Sequence, residues 1–191
     1  MQNIQDKKVK KTNKRKKIKT TKIANKWVYK NAASIVYAKS STGQLMILLI
    51  VESKGTITTP GGRRETQDKN SSHTAFREMY EETLHDGVSL IDFSRMYEFK
   101  QHKMYHINTV LHMYYYTQIA DECYIPLSNN ETIGMLWLPV EEITMERLLD
   151  KDTLYTVSGG RKYKMRDICI HTFRTISFLR NIVDNLPMYI Y

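Results

Sequence analysis

The chain has 191 residues, 41% of them hydrophobic, with 29 Lys and Arg against 20 Asp and Glu and only two Cys. That size suits one globular domain with an appendage and leaves little room for two. Nothing approaches the ~20 apolar residues of a membrane span, and the N-terminus lacks the apolar core of a secretory signal, so an intracellular protein without membrane attachment is expected, cytoplasmic or nuclear. Cys123 and Cys169 lie far apart and form no CxxC or CxxH spacing, which signals neither a disulfide framework nor a zinc site.

The positive charge is local. Met1 to Lys30 holds eleven Lys, one Arg and a single acid, whereas the rest of the chain carries a net charge of −2. Within it, Lys7 to Lys22 has too few apolar side chains and too much like charge to offset the entropy of ordering. Residues 1–26 are therefore expected to be a disordered basic tail, and residues 27–191 a folded domain. An Arg-poor tail of this kind argues against a mitochondrial transit peptide. Its Lys14-Arg-Lys-Lys17 run has three readings: a nuclear address read by an import receptor, a grip on RNA phosphates, or a solubilising extension.

From Trp27 onward the composition changes. Ala33-Ser-Ile-Val-Tyr-Ala38 and Leu45-Met-Ile-Leu-Leu-Ile-Val51 are apolar and partly β-branched, separated by the turn-like Lys39-Ser-Ser-Thr-Gly43. This predicts a hairpin entering a buried sheet. A short strand, Thr56 to Thr58, runs into Pro60-Gly61-Gly62, where a turn is required. Next, His73 to Leu84 reads as an amphipathic helix with Ser71 or Ser72 as N-cap and Ala75, Phe76, Met79 and Thr83 on its apolar side. Val88 to Phe99, Tyr105 to Ile119 and Met135 to Leu138 read as strands. Pro139 to Leu149 reads as a short helix with Pro in its first turn, and Met165 to Leu186 as a long C-terminal helix.

The chemistry concentrates on the first helix. At about 100° per residue, Arg77, Glu78, Glu81 and Glu82 fall within roughly a third of its circumference. Carboxylates at i, i+3 and i+4 repel one another, and only Arg77 offsets them locally. A hard divalent cation such as Mg²⁺ or Mn²⁺ would reverse the sign of that interaction and bind phosphate oxygens in turn. Taken alone, such a cluster is more often a solvated helix face. Upstream, Gly61 and Gly62 can let the backbone approach a phosphate or fold tightly beneath the acidic helix.

This unit of strand, glycine turn, loop and acidic helix resembles the Nudix hydrolases, whose signature reads G-x5-E-x7-R-E-U-x-E-E-x-G-U. Here it runs from Gly62 through Arg77-Glu78-Met79-Tyr80-Glu81-Glu82 to Gly87-Val88. The resemblance covers about residues 28–186 and implies an α/β fold, a mixed sheet in an α/β/α sandwich. It also implies that Glu78, Glu81 and Glu82 hold Mg²⁺ or Mn²⁺, that Arg77 orients a glutamate, and that a diphosphate linkage is cut. The general base is either a motif glutamate such as Glu78 or an acid on a later loop, for which Glu131 is the candidate; an ordinary solvated loop acid is the equal alternative. Two departures stand out. One residue is inserted between Gly62 and Arg77, so the first motif glutamate is displaced: counting forward lands on Asp68, counting back on Lys69, and Glu65 lies nearby. The late Gly87-Val88 pair implies a helix about one turn longer before its C-cap.

Weaker signals remain. His102, His106 and His112 read as strand-surface residues rather than ligands, and Tyr105, Tyr114, Tyr115 and Tyr116 as cross-strand packing rather than a base-stacking platform. Ser158 to Lys164 reads as a solvated loop in preference to a phosphate contact. The expected activity is a metal-dependent pyrophosphohydrolase on a nucleotide-containing substrate, a nucleoside diphosphate linked to another group. A basic arm on a near-neutral domain favours a long polyanion, so capped RNA leads. A small-molecule hydrolase of ADP-ribose, dinucleoside polyphosphates or diphosphoinositol polyphosphates is the alternative, and a non-catalytic RNA-binding module the third reading.

Overall fold

The computed structural model describes residues 29–104, 108–119, 124–127, 129–150, 152–156 and 160–175. The expected basic tail, Tyr105, His106, Cys123, Ser158, Gly159 and residues 176–186 of the expected long helix lie outside them. The first strands are β1 (Asn31–Lys39), β2 (Leu45–Glu52), β3 (Thr56–Thr58) and β4 (Gly61–Arg63), followed by α1 (Ser71–Glu82). Then come β5 (Leu84–His85), β6 (Val88–Ser89), β7 (Met96–Lys103), β8 (Asn108–Tyr115), β9 (Tyr124–Pro126) and β10 (Thr132–Pro139). The chain continues through α2 (Met145–Leu149), β11 (Leu154–Thr156), β12 (Lys162–Met165) and α3 (Asp167–Thr175).

Among the described residues ten strands form one mixed sheet, and β5 and β6 pair as a separate hairpin. β2 is buried along nearly its whole length, as a continuous apolar run must be when both faces of a strand are covered. Its alternation sorts the core. Ile47, Leu49 and Val51 point to one face, where Leu148 of α2 and Cys169, Ile170 and Phe173 of α3 cover them. Met46, Leu48 and Ile50 point to the other, with Ala75 and Met79 of α1, Leu111, Met113 and Trp137. The result is the α/β/α sandwich expected from the sequence.

One irregularity positions the site. β1 pairs along one edge with β8, in parallel, from Asn31↔Asn108 to Tyr37↔Tyr114. Its other edge is divided: Tyr37 to Lys39 pair with β2, while Asn31 to Ala33 pair with β4. The glycine turn is thereby built into the main sheet, directly beneath α1.

Several expected boundaries change. α1 begins earlier, because Asn70 is the N-cap and its side chain accepts from His73 N at 2.8 Å. It stops at Glu82, not one turn later: the Thr83 hydroxyl donates to Met79 O at 2.7 Å. Asp86 and Gly87 then adopt positive φ, 49° and 80°, the two-residue turn that an Asp-Gly pair favours between hairpin strands. The stretch after Gly87 yields only the two residues of β6 and a 3₁₀ turn, Phe93–Arg95, before β7. Pro139 ends β10, and Thr144 caps a separate five-residue α2 through Arg147 N, so no single helix spans 139–149. Met165 pairs with Ile57 as the last residue of β12, which delays α3 to Asp167.

Tyr115 stacks on Trp137 of β10 with ring centroids 6.3 Å apart, a cross-strand contact, whereas Tyr114 meets the exposed Tyr116 of its own segment edge to face at 5.3 Å. His112 differs from expectation. It is fully buried, with Nδ1 3.1 Å from the Tyr37 hydroxyl, and burial together with His102 and Lys100 pushes its pKa down to about 3. The folded value lies below the unfolded one, so the neutral imidazole's stabilisation is present above about pH 6.5 and is lost as pH falls toward 3. Across that window stability should fall by about 1.4 kcal/mol per pH unit from this residue alone. Urea unfolding of wild type and His112→Asn between pH 7 and 4 checks this: the variant should show the shallower dependence.

Candidate active site

α1 lies over β1 and β4, and its last two turns carry Arg77, Glu78, Glu81 and Glu82. The inserted loop resolves at Asp68. This carboxylate is buried and accepts from Glu65 N at 2.8 Å, His73 Nδ1 at 3.0 Å and Thr74 Oγ1 at 2.9 Å. Arg77 donates to it twice, from Nε at 3.2 Å and Nη2 at 3.1 Å. Burial works against the charge, but the bonds from Arg77, Glu65, His73 and Thr74 outweigh it and hold Asp68 well below the usual carboxylate range. Of the acids near the displaced motif position, Asp68 is therefore the one clamped to the arginine. Glu65 lies 3.6 Å from Arg77 but is half exposed.

Arg77 links the parts. Besides Asp68 it donates to Arg63 O at 2.9 Å, Glu78 Oε1 at 2.8 Å and Glu81 Oε2 at 3.0 Å. It joins the loop, the glycine strand and two helix carboxylates through one planar fork, which a lysine's point charge cannot do.

The glycines fold beneath the acidic helix. Gly61 has φ 155° and lies so close to β1 that a side chain would meet Ala32 O and Ala33 at 2.6 Å; its N–H donates to Glu82 Oε2 at 2.8 Å. That N–H is engaged by Glu82. At Gly62, a Cβ would overlap the Glu78 carboxylate. Replacing Gly62 with Ala should thus displace Glu78 and lower kcat by about two orders of magnitude, since an ångström-scale misplacement of a reacting group has that cost. Turnover compared with the melting temperature separates this from unfolding, which should shift by only a few degrees.

Electrostatics single out Glu82. Burial pushes its pKa up to about 8, against the bond from Gly61, and the charges of Glu78, Glu52 and Glu131 push the same way. Glu78 is also raised, by burial first, with Arg77 opposing. Glu52, on β2, is held by Arg166 Nη1 at 2.7 Å and by the Thr56 hydroxyl; the sequence pattern gives no signal for it, whereas Asp68 sits at the forward count from Gly62. Glu131 is placed by a loop docked on the end of α1: Asn129 Nδ2 and the Thr132 hydroxyl donate to the Glu81 and Glu82 carbonyls, and Ser53 N donates to Glu131 O at 3.0 Å.

Among the described residues, no three acidic, histidine or cysteine side chains converge closely enough to hold a cation as they stand. Arg77 draws Glu78 and Glu81 to one side while Gly61 holds Glu82 on the other. The donor set is nevertheless all oxygen and includes Glu82, whose ionised form burial and the neighbouring acids disfavour, which suits a hard divalent cation. The basic run at the C-terminal end resolves differently from a free loop: Lys162 to Lys164 lie in β12, and Lys164 pairs with Asp152 at 3.0 Å.

A model of the NUDIX domain matches residues 28–157, well over half of the chain. The chain belongs to the NUDIX family and is a hydrolase acting on phosphoanhydride bonds. Among solved structures it is similar to the Nudix hydrolase RenU from M. smegmatis, with TM-score 0.56 and 11% identity over 84% of this chain and 89% of that one. It is also similar to a NUDIX hydrolase from Alicyclobacillus acidocaldarius (TM-score 0.45, 14% identity, 77% and 90% covered). A C. elegans Ap4A hydrolase matches over 60% of this chain and 82% of that one, with 18% identity and TM-score 0.36. No curated protein sequence matches significantly. Members of this family typically need a divalent metal, and membership implies a nucleotide-containing substrate. Among the described residues no helix is long and apolar enough to cross a membrane.

Proposed function

We propose that this hydrolase cleaves the pyrophosphate chain of the 5′ cap of RNA, using Mg²⁺ or Mn²⁺ held by Glu78, Glu81 and Glu82. The observation that carries the substrate is the charge partition: twelve basic residues in the first thirty, against a remainder with more acids than bases. A polybasic segment adds affinity for each phosphate of a long polyanion without altering the catalytic centre. A small nucleotide would leave that segment without a substrate contact.

The cation supplies charge neutralisation for the phosphate oxygens and acidity for water. The chain does the rest. Arg77, clamped by Asp68, fixes the rotamers of Glu78 and Glu81. Gly61 holds Glu82 in line with the sheet, and Gly62 leaves room for the Glu78 carboxylate. Glu131, exposed on its docked loop, takes the proton from the attacking water as general base. Glu131→Gln should lower kcat by about 10²–10⁴-fold, while the metal concentration for half-maximal rate stays constant. An unchanged kcat would return the proton to Glu78.

The test of substrate presents cap-labelled RNA, a cap dinucleotide, ADP-ribose and diadenosine tetraphosphate side by side with Mg²⁺ and Mn²⁺, at two salt concentrations. Release of 7-methylguanosine diphosphate with a KM for long RNA far below that for the dinucleotide, and strongly salt-dependent, is expected. Efficient turnover of ADP-ribose or diadenosine tetraphosphate alone would refute it.

A further inference from the structure

Where β1 and β4 begin to part, Tyr29, Lys30, Asn31, Arg63 and Arg64 line an open cleft of about 510 Å³. Three of the five are cations and none is acidic. Among the described residues, neither Lys30 nor Arg63 has an acidic partner. Arg77, Arg95, Arg147, Lys164 and Arg166, by comparison, each pair with a carboxylate. Lys30 and Arg63, together with Arg64, line one concavity that has no acid in its lining, a distribution that favours an anion there.

The cleft is also shaped. The Tyr29 hydroxyl lies 3.1 Å from Thr74 Oγ1, and Thr74 in turn donates to the clamped Asp68. The Arg64 guanidinium stands over the Tyr29 ring at 5.8 Å, and Arg64 N donates to Lys30 O at 2.8 Å. Asn31 Nδ2 donates to Asn108 Oδ1 at 3.0 Å. One wall is therefore tied to α1 and the other to β8.

Its position relative to the acidic helix is set by four consecutive residues. Gly61 N–H binds Glu82, Gly62 backs Glu78, Arg63 O accepts from Arg77, and Arg64 bonds to Lys30. Two residues of extended chain, roughly 7 Å, separate the Gly62–Glu78 contact from Arg64. A phosphate chain covers that distance in a link or two.

We propose that this cleft is a phosphate subsite that binds phosphate groups lying beyond the scissile diphosphate. The ligand chemistry is a chain of phosphates, either the further anhydride-linked phosphates of a polyphosphate or the phosphodiester backbone of a single-stranded nucleic acid. The assignment rests on the phosphoanhydride chemistry argued above. It places the specificity for extended anions on the folded domain itself, next to the point where the polybasic segment enters it at Lys30.

The experiment measures binding without turnover. Full-length protein in EDTA is titrated into inorganic tripolyphosphate and, separately, a fluorescent ten-nucleotide RNA with a 5′ hydroxyl. Lys30→Gln/Arg63→Gln should weaken binding roughly tenfold at low salt. For RNA it should flatten the dependence of log K on log salt by about 1.4, the loss of two single-strand phosphate contacts. Lys162→Gln/Lys164→Gln removes the same charge from β12 and should change neither. Losses on RNA alone assign a phosphodiester ligand, losses on tripolyphosphate alone a polyphosphate, and losses on both the shared chain. Unchanged affinity and slope on both probes, repeated with Lys30→Glu/Arg63→Glu, would overturn the subsite. Failure to cleave capped RNA, measured separately, would remove the substrate assignment and leave this binding result standing.

Discussion

Glu82→Gln should reduce turnover by at least two to three orders of magnitude while leaving the fold intact. The amide retains an oxygen that can accept from Gly61 N–H, the 2.8 Å bond that seats the side chain, so the geometry at the end of α1 survives. The negative charge does not, and a neutral amide binds a divalent cation far more weakly than a carboxylate. Steady-state hydrolysis with Mg²⁺ and with Mn²⁺, alongside thermal unfolding in EDTA, checks both halves. Near wild-type kcat would sink the role of Glu82 in cation binding. In EDTA the variant should be as stable as wild type or more so at neutral pH, because burial and the charges of Glu78, Glu52 and Glu131 disfavour the ionised carboxylate. The companion change Glu81→Gln should also lose activity; its side chain is half exposed and paired with Arg77, so no stability gain is expected there.

The largest loss of stability should come from Asp68→Ala, of about 3–5 kcal/mol. Five donated hydrogen bonds end on this carboxylate, and its removal leaves the Arg77 guanidinium, only 14% exposed, without its main counter-charge. Breaking a buried pair by deleting one partner has that order of cost, because the remaining charge stays desolvated. Asp68→Asn keeps an acceptor but not the charge and should fall in between. Denaturant unfolding at pH 7 measures both; a loss below about 1 kcal/mol for Asp68→Ala would mean that Arg77 is satisfied by Glu78 and Glu81 alone. Activity should drop in parallel, since Arg77 freed from Asp68 no longer fixes the two glutamates.

The acidic helix and the hairpin before it were legible in the sequence because each rests on short-range periodicity, while the two-faced core was expected only from the family resemblance. The α1 carboxylates follow from 3.6 residues per turn, and β2 follows from an unbroken apolar run. Long-range choices were not legible. Whether Asp68 or Glu65 meets Arg77 depends on how the Arg64 to Asn70 loop folds back, through the Glu65 N–H bond to Asp68, which no periodicity encodes. The division of β1 between β2 and β4 is a tertiary choice of the same kind, and so is the burial of His112 against Tyr37. The early end of α1 was readable in principle: Asp86-Gly87 is a strong hairpin signal, but the expectation of a longer helix, drawn from the family's spacing, overrode it. The β11–β12 hairpin was hidden by its brevity: Lys162-Tyr-Lys-Met165 alternates as a half-buried strand does, but four residues after a glycine pair and among basic side chains read equally as a solvated loop.

The two-point anchoring of the segment between the glycine strand and the acidic helix has an evolutionary consequence. Its first end is sewn into the sheet by the pairing of β4 with β1, and its last end is fastened by Asp68 to Arg77. An insertion or deletion between those anchors changes the loop's path without moving the carboxylates. What selection must preserve is an acid able to reach the arginine, not a fixed count of residues to it. Signatures written as rigid spacings will therefore overlook members of the superfamily that have drifted in this loop, whereas a search for the buried acid–arginine pair beneath an acidic helix would retrieve them.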